Sequence, residues 1–108
     1  MPSSLETLRQ QYCQLVNETL PDAARSSSYL IRFNHCFARI ILDNLFEDCW
    51  YNHLQKGGKV PAYKQLTMEQ LAKAIRLAQK MVQDPDAAAL LNSRSLQWRR
   101  QKTRRVER

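Results

Sequence analysis

The sequence YLIRFNHCFARIILDNLFEDCWYNHL, residues 29–54, is the most apolar part of the chain and contains neither glycine nor proline. Its apolar residues recur every three or four positions, the spacing of one face of an α-helix. The apolar stripe is wider than a single face, so we expect neighbouring helices to cover it on two or more sides. The sequence therefore predicts a central helix at about residues 29–55, in a compact all-α bundle of four to five helices.

Four polar residues form one line along this predicted helix: Arg32, His35, Arg39 and Asp43. Their spacing of three or four places them on one face, which we expect to be the exposed or functional edge of the helix, with Arg39 and Asp43 spaced as a surface ion pair. His35 and the adjacent Cys36 would point about 100° apart, which argues against a histidine-activated thiol. The line is therefore expected to be either a solvated face or a partner interface, and not a catalytic site.

Three further helices are predicted, at residues 4–20, 67–83 and 85–98. Pro21 is expected to end the first of them. Thr67 and Gln70 have the spacing of an N-terminal capping box for the helix at 67–83, and Asp84 is expected to cap the last helix. Gly57 is expected to end the central helix in a left-handed conformation. We therefore divide the chain into a single helical domain, residues 1–98, and a basic extension, residues 99–108.

Positive charge is concentrated at the C-terminus. The whole chain carries a net charge of +7, and residues 94–108 account for six of these charges. Lysine and arginine neutralise phosphates and release condensed counterions, so this density favours binding of DNA or RNA without sequence specificity. The candidate nucleic-acid-binding residues are Lys73, Arg76, Lys80, Arg94, Trp98, Arg99, Arg100, Lys102, Arg104 and Arg105. Among them, Trp98 could stack on an unpaired base.

Several classes of protein are disfavoured by the composition. The chain has no run of about 18 apolar residues that could cross a membrane. Its first ten residues lack the basic and apolar segments of a signal peptide. The three cysteines show no CxxC spacing, so we expect reduced thiols in a cytoplasmic protein. Cys49 and His53 stand four residues apart, but no second pair completes a metal site, and we expect no metal.

Three segments, RFNHCFARIILDN, KVPAYKQLTMEQLAKAI and LNSRSLQWR, resemble a group of small bacterial proteins commonly found near mobile elements. Some members of that group carry an N-acetyltransferase label. The resemblance covers roughly residues 32–100. It rests on Arg32, Asn34, His35, Cys36, Arg39, Asp43, Thr67, Gln70, Asn92, Ser95, Leu96 and Arg99.

The acetyltransferase label does not fit the residues. An acetyl-CoA-dependent enzyme needs a glycine-rich turn whose backbone amides hold the pyrophosphate. The two glycines of this chain are adjacent, at 57 and 58, and form no Gly-x-Gly turn. We therefore expect no cofactor and no enzymatic activity.

The function expected from the sequence is that of a non-enzymatic accessory protein from a phage or mobile element. Its expected partner is nucleic acid or a nucleoprotein complex, and not a membrane. The alternative is a protein–protein inhibitor or adaptor that binds an acidic partner surface. The wide apolar stripe of the central helix is also compatible with a homo-oligomer.

Overall fold

The computed structural model of the chain describes residues 4–26, 34–55 and 57–106, with side chains at 4–25, 36–55 and 57–100. These residues form packed helices without a β-strand, so the predicted all-α bundle is confirmed. The α-helices are α1 (Leu5–Gln14), α2 (Leu20–Ser26), α3 (Asn34–Phe46), α4 (Met68–Gln83) and α5 (Pro85–Val106). Three short turns accompany them: a π-helical turn at Leu15–Thr19 and 3₁₀ turns at Trp50–Asn52 and Ala62–Gln65.

The first helix does not end at Pro21. Instead α1, the π-helical turn and α2 follow one another without a break, and we call residues 5–26 the N-terminal rod. A proline inside a helix removes a backbone donor and crowds the carbonyl four residues earlier, and the wider π-helical turn, which ends at Thr19, relieves that conflict. Leu20 and Ala24 are both fully buried. Their burial stabilises the continuation that the proline would otherwise oppose.

Helix α3 is central, as predicted, because the N-terminal rod, α4 and α5 all contact it. It contributes Phe37, Ile40 and Ile41, all fully buried, to the core. The predicted start near residue 29 lies outside the described residues. The predicted end at residue 55 is wrong, since α3 ends at Phe46.

The end of α3 has the form of a Schellman motif. Glu47 adopts a left-handed conformation with φ of 54°, and the Asp48 N–H donates to the Asp43 carbonyl at 3.1 Å. Such a position usually carries glycine, which explains why the sequence did not indicate a helix end here. Gly57 is left-handed too, with φ of 80°, but it lies in the loop beyond the 3₁₀ turn.

Helix α4 has the predicted bounds and the predicted cap. The Gln70 N–H donates to Thr67 Oγ1 at 3.1 Å, and the Thr67 N–H donates to Gln70 Oε1 at 3.0 Å. This reciprocal pair confirms the capping box. Leu66 and Leu71 on either side of the cap are buried, so the N-terminus of α4 is fixed against the core.

Helix α5 begins as predicted and continues further. Asp84 Oδ1 accepts a hydrogen bond from the Asp86 N–H at 3.0 Å, which confirms Asp84 as the cap. The helix then passes through the predicted domain boundary between residues 98 and 99 and runs to Val106. It packs against both α3 and α4, and Ala88, Leu91 and Ser95 face inward.

Candidate functional site

A fully buried carboxylate, that of Asp43, joins α5 to α3. Its Oδ2 accepts hydrogen bonds from Ser95 Oγ at 2.6 Å and from Arg99 Nε at 2.8 Å. Its Oδ1 accepts from the Trp50 N–H at 2.9 Å and from Arg99 Nη2 at 3.3 Å. The expectation that Asp43 belongs to an exposed line is therefore wrong, because α5 covers that part of α3.

Arg99 is the countercharge of Asp43. Its side chain is 23 % exposed, and its guanidinium also lies 4.7 Å from the centre of the Tyr51 ring. Burial, the largest effect, would lower its pKa, but the hydrogen bonds to Asp43 and Tyr51 outweigh it and raise the pKa of Arg99 above its usual range. Arg99 was predicted to contact nucleic acid, but in the folded chain its guanidinium is engaged with Asp43.

Arg39 is not the ion-pair partner of Asp43 that its spacing suggested. Its Nη1 donates to Ser95 Oγ at 3.0 Å and its Nη2 donates to Asn92 Oδ1 at 2.8 Å. Ser95 thus accepts from Arg39 while it donates to Asp43. Arg39, Asp43, Asn92, Ser95 and Arg99 form one set of contacts, which we call the Asp43 network.

The Asp43 network contains five of the residues on which the sequence resemblance rests. The other two members of the predicted polar line, Arg32 and the side chain of His35, lie outside the described residues. The network is a structural contact between α3 and α5. Among its described side chains the single carboxylate of Asp43 faces the guanidinium groups of Arg99 and Arg39, so the network keeps one net positive charge.

Arg39 also lines a cleft of about 460 Å³ between the N-terminal rod, α3 and the two 3₁₀ turns. Four aromatic residues line it with Arg39, and we call it the aromatic cleft. Its lining includes Tyr12, Cys13, Arg39, Trp50, Tyr51 and Tyr63. These residues come from distant parts of the sequence, which carries no linear signal for such a cleft.

Tyr12 and Tyr63 form one wall of the aromatic cleft, and the environments of their hydroxyl groups differ from that of an exposed tyrosine. The two rings stack with their centres 5.8 Å apart. A hydrogen bond with Cys13, together with partial burial, raises the pKa of Tyr63. Burial raises the pKa of Tyr12. The Tyr12 hydroxyl is buried and has no hydrogen-bond partner among the described residues. An unsatisfied buried polar group costs about 1–3 kcal/mol, and such groups are uncommon in native proteins.

The candidate nucleic-acid-binding residues differ in how far their side chains are exposed to solvent. Lys73, Arg76 and Lys80 are exposed on α4. Arg94 and Arg100 are exposed on α5. Trp98 is half-buried. Three further candidates stand on the helical backbone of α5, with side chains outside the described set: Lys102, Arg104 and Arg105.

The Cys49 and His53 pair does not resemble a metal site. Cys49 is buried, whereas His53 stacks on Phe46 at 4.7 Å and contacts Asp48 Oδ2 at 3.2 Å. Partial burial of Asp48 would raise its pKa, but hydrogen bonds from Asn52, the Cys49 N–H and His53 outweigh it and lower that pKa. In the part of the chain that the structure describes, no three metal-ligating side chains come together.

No helix among the described residues is long and apolar enough to span a bilayer. Comparisons of the chain with protein-family models, with curated proteins and with solved structures found no match.

Proposed function

We propose that the protein is a non-enzymatic accessory protein that binds nucleic acid, without reading its sequence, through cations of α4 and α5. The observation that carries the proposal is the exposure of Arg94 and Arg100 on a helix that continues to Val106. A helix rises about 1.5 Å per residue, so the cations from Arg94 to Arg105 extend over about 16 Å. Duplex DNA presents roughly one phosphate charge per 1.7 Å of its axis, so about nine or ten phosphates occupy that length.

The exposed row on α4 adds to this charge. Lys73, Arg76 and Lys80 are separated by three and four residues and therefore share a face of α4. Glu69 lines the same shallow cleft as Lys73 and Arg76, which partly neutralises that end of the row. Arg99 is excluded from the proposed contacts because Asp43 holds its guanidinium. We therefore assign the main contribution to Arg94, Arg100 and the cations that follow on α5.

The test is the affinity for fluorescently labelled duplex DNA, single-stranded DNA and RNA between about 50 and 200 mM salt, where counterion release weakens binding most visibly. The variant Arg94→Gln/Arg100→Gln should reduce the slope of log affinity against log salt by about 1.8 on duplex DNA, about 0.9 for each lost phosphate contact. The matched control is Lys59→Gln/Lys64→Gln, which removes the same charge from two exposed lysines in the segment between α3 and α4.

Two results would refute the proposal. One is the absence of binding to all three nucleic acids at low salt, and the alternative of an adaptor for an acidic protein would then be tested by co-purification. The other is an equal effect of the two double variants, because the effect would then reflect net charge rather than a surface on α5.

A further inference from the structure

The aromatic cleft offers a second site, whose chemistry does not depend on the binding of nucleic acid. We infer that it binds a small planar aromatic carboxylate. Its volume of about 460 Å³ falls within the usual range for small-molecule sites, about 300–1,000 Å³. The ligand is expected to lie among the aromatic side chains with its carboxylate toward Arg39.

Arg39 gives the aromatic cleft a positive charge that a negatively charged ligand would complement. A guanidinium has five N–H donors, and the described hydrogen bonds of Arg39 use two, both to the uncharged acceptors Ser95 and Asn92. Asp43 is paired directly with Arg99 and contacts Arg39 only through Ser95, so its one negative charge offsets only one of the two guanidinium groups. None of the described residues that line the cleft carries a carboxylate. An anion is therefore the group that complements the cleft.

The aromatic side chains that line the cleft favour a ligand with a planar ring. Tyr12 and Tyr63 are stacked on one another, and Trp50 meets Tyr51 edge-on with their ring centres 4.8 Å apart. A flat ring can pack against such surfaces face-to-face or edge-to-face. The buried Tyr12 hydroxyl, which lacks a partner among the described residues, is a further polar group that a ligand oxygen could satisfy after a small side-chain shift.

The test is isothermal titration calorimetry of the full chain with 2-naphthoate and with its neutral counterpart, 2-naphthalenemethanol. We expect 2-naphthoate to bind about tenfold or more tightly than the alcohol, the effect of one charge-assisted hydrogen bond. Arg39→Gln should remove this preference while the alcohol still binds. Adenosine monophosphate serves as a third ligand, because it also joins a flat ring to an anion.

A matched pair of substitutions locates the site. Ala62 lines the cleft, so Ala62→Phe should fill it and abolish binding of 2-naphthoate. Ala89→Phe makes the same change at an exposed position of α5 and should leave binding intact. Saturating 2-naphthoate should also slow the alkylation of Cys13, which lines the cleft, without affecting Cys36, which is also only partly buried.

The inference is overturned if 2-naphthoate fails to bind at millimolar concentration, or if the alcohol binds equally well. It is also overturned if Ala62→Phe binds 2-naphthoate like Ala89→Phe, or if only adenosine monophosphate binds. Each variant is first checked for helical circular dichroism. Should Arg39→Gln unfold, the comparison of the two alanine variants still decides. The Arg94→Gln/Arg100→Gln variant should bind 2-naphthoate normally, which separates this site from the nucleic-acid surface.

Discussion

Replacement of Arg99 by methionine should reveal whether the Asp43 network holds α5 in place. Methionine keeps an apolar stem but removes every donor, so Asp43 would remain fully buried with hydrogen bonds only from Ser95 and the Trp50 N–H. Loss of one partner from a buried ion pair costs about 3–5 kcal/mol. The two remaining donors and the 23 % exposure of the Arg99 side chain favour the lower end, about 3 kcal/mol.

The measurement is urea and thermal unfolding followed by circular dichroism at neutral pH. A loss of about 3 kcal/mol corresponds to a decrease in Tm of about 15 °C for a domain of this size. The control, Arg100→Met, changes the adjacent exposed arginine and should alter stability by less than about 0.5 kcal/mol. In Asp43→Asn/Arg99→Met the two losses should be less than additive, by about 1–3 kcal/mol. Equal stability of Arg99→Met and Arg100→Met would refute the reasoning.

Three further outcomes are expected. The pKa of Asp48 is lowered in the folded chain, so its charge stabilises the fold at pH values above the ordinary pKa of 3.8. The free energy of unfolding of wild type should therefore exceed that of Asp48→Asn at neutral pH, and urea unfolding should show this difference shrink as the pH falls below 3.8. Thr67→Ala should cost about 1 kcal/mol through loss of the cap, whereas Thr7→Ala, at an exposed helical position, should be nearly neutral in the same assay. Deletion of residues 101–108 should leave Tm nearly unchanged, whereas deletion of residues 99–108 should lower Tm as much as Arg99→Met does. Equal Tm values for the two truncations would contradict the proposed anchoring role of Arg99.

Local patterns in the sequence predicted those features that depend on neighbouring residues. The capping box at Thr67 and Gln70 and the cap at Asp84 each involve residues a few positions apart, and both are present in the structure. The apolar spacing likewise identified α3 as the helix that other helices cover. Two predictions from local rules were wrong. The first helix continues through Pro21, where buried side chains stabilise it, and α3 ends just before Glu47, a non-glycine residue in a left-handed conformation.

The candidate sites were less accessible to sequence reasoning. Arg39 and Asp43 have the spacing of a surface ion pair, and only the position of α5 reveals that Asp43 is buried and paired with Arg99 instead. A charge count treats Arg94, Arg99 and Arg100 alike, although the structure engages Arg99 and leaves the other two exposed. The aromatic cleft has no counterpart in any single segment.

The sequence by itself determined that the chain is helical, where α4 begins and ends, and that positive charge is concentrated near the C-terminus. These properties follow from residue type and from spacing within a few turns of helix. The tertiary structure decided which charges are neutralised and which aromatic side chains meet, because both depend on contacts between residues some fifty positions apart, such as Ser95 and Asp43. Burial then changes the role of a charge, from a solvated group into the contact that joins α5 to α3.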